Sequence, residues 1–276
     1  MIALLLFSAC GRIQFAGVPD ASDGAAACDP SVPFGAPHVI EELSLPGSTD
    51  GGLRLSDDEL SAYFHSTRGF GVFRVWEAHR TSRMLPFETP TVLVTTTSLW
   101  PTVSVDGLTL VYNANSPDDF YVAKRGSASE PFPAATPITD LNTGSNESAP
   151  FFGRTTQTLY FARIVPEGSL LQSAWPPTGA GLETMIPGVN TASVEQAPVL
   201  SRDELTIYFT RGTPGLEIYA ASRATTEDAF APAAQLAELV SPAGESPTWI
   251  SPDNCRLYFE SSRTSDFDLY VAERVP

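Results

Sequence analysis

Ser246-Pro247-Thr248-Trp249-Ile250-Ser251-Pro252-Asp253-Asn254-Cys255-Arg256-Leu257-Tyr258-Phe259-Glu260-Ser261 reads as an apolar strand, a Ser-x-Asp turn, and a second apolar strand centred on paired aromatics. A third strand, Tyr270-Val271-Ala272-Glu273-Arg274, follows and ends in Ala-x-Arg. Moving back along the chain, the turn and second strand recur at Ser201 to Phe209, Gly153 to Phe161, Ser104 to Tyr112 and Ser56 to Phe64. The first residues of the five copies stand 48, 49, 48 and 50 positions apart. A period of this size with several short strands per unit marks a propeller or an array.

The fourth unit divides into four strand signals: Ala197 to Leu200, Leu205 to Thr210, Glu217 to Ala221, and a last one following Phe230 through Leu239. Alternation puts Leu205, Ile207 and Phe209 on one face and Tyr208 on the other, so both faces are apolar, as in a sheet held between neighbours. No long stretch shows helical periodicity, and 24 prolines with 20 glycines imply many turns. The chain stops at Pro276, after the third strand of the fifth unit. The segment Phe34 to Leu43 resembles Phe132 to Leu141, a fourth strand from inside the array. The expected fold is therefore all-β: a five-bladed β-propeller of four-stranded antiparallel blades over residues 34–276. The N-terminal strand joins the last blade and removes the open edge. The third unit departs from the pattern, since Leu170 to Ala174 lacks the aromatic and the arginine. Its stretch from Pro166 to Pro187 reads as a long loop exposing Trp175, a candidate for recognition whose deletion from Ser173 to Gly181 should leave folding intact.

Acidic residues number 32 against 15 arginines and one lysine, for a formal charge of −16. Clustered cations are what phosphate backbones require, so nucleic acid is not an expected partner, nor is an anionic lipid surface. Met1 to Gly11 is an apolar run too short to span a bilayer that ends in small residues. Within it Phe7-Ser8-Ala9-Cys10 resembles a bacterial lipobox, with Phe7 where leucine is usual, making Cys10 a lipidation site. An ordinary cleaved signal or a buried strand is the other reading. Residues 11–33 read as a flexible tether, whose length gives a reach of roughly 25 Å. Cys28 and Cys255 then remain, either as a disulfide or as two free thiols.

The register of Ser246 to Arg263 and Asp268 to Val271 resembles the WD40-like PD40 repeat of TolB-like propellers. That resemblance implies a protein-binding or scaffold role at the bacterial envelope; with the lipobox-like Cys10 the expected location is lipid-anchored, periplasmic or outer-membrane facing. The family's known propeller is six-bladed, so a count of five departs from it.

Six residues before each turn stand Asp50, Ser98, Glu147, Glu195 and Glu245. Rotational repetition places the four carboxylates in a ring near one mouth of the channel. They are candidates for a cation such as Ca²⁺ or a cationic peptide, or for accepting backbone N–H groups and fixing blade geometry. Asp58, Asp106, Asp203 and Asp253 suit turns. Arg68, Arg211 and Arg263, which follow second strands, and Asp119, Glu217 and Asp268, which precede the third-strand aromatics, are expected to form ion pairs within their blades rather than to recognise a substrate. His38, His65 and His79 sit in different elements, with no Gly-x-Ser-x-Gly elbow, zinc spacing or phosphate loop. The expected activity is thus a monomeric, non-catalytic binding scaffold for an envelope protein or peptide, with no cofactor. The alternative is a five-bladed glycoside hydrolase using channel carboxylates 5 to 9.5 Å apart.

Overall fold

Five four-stranded antiparallel sheets surround one axis in the computed structural model, which describes residues 28–114, 117–165, 167–212, 215–264 and 266–275. The chain enters through β1 (His38–Val39). Blade 1 then runs β2 (Asp50–Leu55), β3 (Ser61–Ser66), β4 (Arg74–His79) and β5 (Thr91–Val94) from inside to outside. Blade 2 comprises β6 (Leu99–Val103), β7 (Thr109–Ala114), β8 (Asp119–Lys124) and β9 (Thr136–Pro137). Blade 3 follows with β10 (Asn146–Phe152), β11 (Thr158–Val165), β12 (Glu167–Ala174) and β13 (Thr184–Met185). Blade 4 holds β14 (Glu195–Leu200), β15 (Thr206–Arg211), β16 (Glu217–Ser222) and β17 (Ala234–Gln235). Blade 5 is β18 (Glu245–Ile250), β19 (Arg256–Ser261) and β20 (Asp268–Glu273), with β1 as its outer strand.

The inner strands β2, β6, β10, β14 and β18 touch in that order, and β18 touches β2 again, so the ring is closed. Burial falls from the axis outward. Every residue of β2 is buried, whereas both residues of β9, β13 and β17 are exposed. The second-strand aromatics make the core between blades: Phe64, Phe161, Phe209 and Phe259 are fully buried, and Tyr160, Tyr208 and Tyr258 nearly so. Each inner strand carries a register shift against its neighbour. At the shift Gly52, Trp100, Ala149 and Ala197 take positive φ of 60°, 48°, 50° and 51°. Non-glycine residues pay for that conformation, so its recurrence marks a bulge the repeat requires to bend the inner strand.

The seam copies the interior. His38 and Val39 pair with Val271 and Tyr270, and the Gly35 and Ile40 amides donate to the Glu273 and Leu269 carbonyls, both at 2.8 Å. The third-strand arginines Arg80, Arg125 and Arg223 lie 4.3, 4.1 and 4.5 Å from the ring centres of Phe87, Phe132 and Phe230. Arg274 lies 4.1 Å from Phe34, which comes from the other end of the chain. A turn glutamate staples blade 4 to blade 3, where Glu204 accepts the Thr155 and Thr156 amides at 2.7 and 2.8 Å and the Tyr160 hydroxyl at 2.9 Å. Glu59 does the same across the seam, accepting from Arg256 Nη2 and Tyr258 Oη at 2.6 Å each. A disulfide between Cys28 and Cys255, with Cα atoms 5.9 Å apart, adds a covalent tie.

Three local expectations are corrected. The fourth strands are shorter than their sequence signals, and in blade 4 the segment after Ala234–Gln235 turns into a 3₁₀ helix over Ala237–Leu239. Trp175 is half-buried, its ring packed edge-on against Phe152 at 5.0 Å, rather than displayed on a loop. Ser173 and Ala174 belong to β12, opposite Leu159 and Thr158, so the deletion from Ser173 to Gly181 would remove blade structure. Cys10 and residues 11–27 lie outside the described residues.

Candidate functional site

The repeated acids stand at the N-terminal ends of the inner strands. Asp50, Glu147, Glu195 and Glu245 are all buried, as is Ser98. Each carboxylate holds an arginine of its own blade. Arg68 Nη2 lies 2.7 Å from Asp50 Oδ1, Arg163 Nε 2.8 Å from Glu147 Oε1, Arg211 Nε 2.9 Å from Glu195 Oε1, and Arg263 Nη2 3.0 Å from Glu245 Oε1. The same guanidiniums donate to carbonyls of the preceding interblade segment, at Leu43, Leu141, Val189 and Leu239. Hydroxyls of Thr143, Thr191 and Ser241, four residues upstream of their acids, complete the arrangement. Blade 2 has lost acid and arginine together: the Ser98 hydroxyl accepts from the Val75 amide and donates to the Thr96 carbonyl, and no arginine follows β7 in the sequence. An acid that disappears with its arginine serves the pair. Arg68, Arg211 and Arg263 thus meet the inner-strand acids, while Asp268 accepts from Thr264 at 2.7 Å. Glu217 faces Glu245, and burial together with that neighbouring carboxylate pushes its pKa up to about 7. Among the described residues no group of three or more His, Cys, Asp or Glu is placed to hold a metal ion.

Two further groups sit deeper, and of their residues the sequence reading singled out His65 alone, without a role. Arg54 stands where the other copies carry Thr102, Phe151, Val199 and Trp249. It crosses the axis, donating from Nη1 to the Thr248 carbonyl of blade 5 and from Nη2 to the Pro150 carbonyl of blade 3 at 3.1 Å. Beside it, Gly51 and Gly52 leave the space that His65 and Glu260 fill. A Cβ on Gly51 would lie 2.2 Å from Glu260 Oε2 and 2.6 Å from His65 Nε2. The Gly52 amide donates to Glu260 at 2.8 Å. Burial drives the Glu260 carboxyl up to about 7, with the Gly52 amide and Arg54 opposing, and drives the His65 imidazole down to about 3, helped by Arg54.

At the C-terminal ends of the inner strands the second turn residue varies freely: Asp57, Val105, Arg154, Arg202 and Pro252. Arg154 lies 3.7 Å above the Trp249 ring, donates from Nη2 to the Ile250 carbonyl at 2.9 Å, and brings Nε within 3.4 Å of Asp57. Arg202 Nε is 4.0 Å from the other Asp57 oxygen. A small cavity of about 50 Å³, with Arg54 and Arg154 in its wall, opens at this end. The signal available in the sequence was a charged residue, Arg54, breaking an otherwise apolar or neutral repeat position.

No family model matches the sequence, and no curated protein does either. Solved structures share the fold. TolB from Acinetobacter baumannii aligns with a TM-score of 0.55 at 12% identity over 82% of this chain and 55% of its own, so this chain spans little more than half of it. An Agrobacterium tumefaciens protein assigned to TolB gives 0.52 at 15% identity, over 83% and 74%. A thermostable family-43 glycoside hydrolase gives 0.53 at 14% identity, over 83% and 91%. At such identities the likeness is one of fold.

Proposed function

We propose that this chain is a non-catalytic binding scaffold of the bacterial envelope, a TolB-like propeller that offers one mouth of its channel to a protein or peptide. The observation that carries this reading is Arg54 lying across the axis, bonded to carbonyls of blades 3 and 5. A glycosidase needs two carboxylates facing an open, wet cleft. Here the repeated acids are enclosed and bonded to guanidiniums, which supports a structural use for them. The TolB likeness of the fold and the PD40-like register support the envelope setting. A disulfide between Cys28 and Cys255 suits an oxidising compartment. Cys10 is the proposed acylation site, with the following residues as tether.

Hydrolysis of arabinan and fructan tests the reading. The expected result is no product above buffer. Product formation that disappears in Glu147→Gln or Glu195→Gln would overturn it. Labelled palmitate entering the wild-type chain but not Cys10→Ser would support the anchor, and equal labelling of both would remove it.

A further inference from the structure

The geometry points to an oxyanion site at the C-terminal mouth of the channel, where a cavity lined by Arg54, Arg154 and Trp249, with Arg202 beside it across Asp57, receives a carboxylate or phosphate group. This deepens the scaffold reading by naming the chemistry held at that mouth, and rests on it for biological use but not for binding.

Charge is the first argument. In a chain of formal charge −16, two of its 15 arginines, Arg154 and Arg202, meet at Asp57, and Arg54 lines the same cavity as Arg154. Burial and mutual repulsion work against these cations. The Arg54 pKa falls to about 9, lowered by burial and by Arg154 against the pull of Glu260, and that of Arg154 to about 10, with Asp57, Glu59 and Glu204 opposing burial and Arg202. An entering anion relieves both. Unused donors are the second argument. Arg54 Nε and Arg154 Nη1 are buried with no hydrogen-bond partner among the described residues, although both side chains are otherwise anchored. Buried donors are rarely left so in a folded protein unless something meets them.

Preorganisation is the third. Arg154 is fixed by the Trp249 ring, the Ile250 carbonyl and Asp57, so its guanidinium is already oriented before a ligand arrives. Planar guanidinium donors match the oxygens of carboxylate and phosphate. The cavity, about 50 Å³, has room for one such group. Arg202, whose side chain is 61% exposed, lies outside the cavity wall on the far side of Asp57.

Calorimetric titration of the full chain at fixed ionic strength tests the site, using sodium phosphate, N-acetyl-glycyl-glycine as the free acid, and its amide. Phosphate and the free acid are expected to saturate and the amide to give no binding. Arg154→Gln should weaken affinity about tenfold or more. Arg202→Gln, on the exposed rim, should weaken it roughly threefold with Tm unchanged, which keeps the test open if Arg154→Gln folds poorly. Tighter binding of the free acid assigns the site to a peptide carboxylate, and tighter binding of phosphate to a free oxyanion. No saturable binding by either anion, equal binding of acid and amide, or wild-type affinity in Arg202→Gln would overturn the site. Hydrolysis of a glycan would remove the scaffold reading and leave this titration standing.

Discussion

The two ends of the inner strands follow different rules. At the N-terminal ends blades 1, 3, 4 and 5 repeat one arrangement of acid, arginine and interblade carbonyl, and blade 2 omits acid and arginine together. At the C-terminal ends no one residue type runs round the ring: Asp57, Val105 and Pro252 differ, and only blades 3 and 4 share a residue, Arg154 and Arg202. A residue repeated in register serves the docking of each blade to the next. A position whose residue changes from blade to blade is free of that duty, and there a specific site can form without weakening the ring.

The comparison breaks most visibly through stability. Glu195→Ala leaves the Arg211 guanidinium without its carboxylate in a buried setting, and about 3–5 kcal/mol should be lost in chemical denaturation. Ser98→Ala, at the matching position of blade 2, removes a neutral pair of hydrogen bonds and should cost about 1 kcal/mol. Equal losses would mean that the acid–arginine pair is not what holds the blades.

Loss of the seam disulfide comes next. Cys255→Ser frees a closure spanning 227 positions and should cost roughly 2–4 kcal/mol under oxidising conditions. No change in the denaturation midpoint would show that strand pairing and the Glu59 staple seal the ring alone.

Between the two ends, Glu260 and His65 give a pH signature. The Glu260 pKa is raised on folding, so its protonated form favours the fold below about pH 4.5, and that contribution is lost as pH rises through about 7. The shift corresponds to roughly 3 kcal/mol at most. His65 acts in the opposite direction: its pKa is depressed, so its contribution is present above about pH 6.5 and lost as pH falls towards 3. Glu260→Gln should therefore flatten the decline between pH 5 and 7.5, and an unchanged profile would place the titration elsewhere. The smallest effect belongs to Arg202→Gln, whose long, exposed ion pair predicts less than about 0.5 kcal/mol.

The architecture was legible because the repeat writes it five times, and the closure because Phe34 to Leu43 resembles an internal fourth strand. Phe34 meets Arg274 as Phe132 meets Arg125. Less legible were contacts set by a neighbouring blade. Composition made Trp175 look exposed, whereas its burial depends on Phe152. Proximity in the repeat suggested third-strand acids as partners for Arg211 and Arg263, while the fold brings both to inner-strand acids through the β14–β15 and β18–β19 pairings. The arginine mouth was missed because its residues are far apart in sequence and obey no repeat.

A paired assay of Glu195→Gln and Arg154→Gln, each measured for denaturation midpoint and for phosphate affinity, tests most directly whether repetition and divergence separate stability from binding. The account predicts that Glu195→Gln loses stability with its phosphate affinity intact, while Arg154→Gln loses affinity about tenfold. Phosphate affinity falling as far in Glu195→Gln as in Arg154→Gln would contradict it.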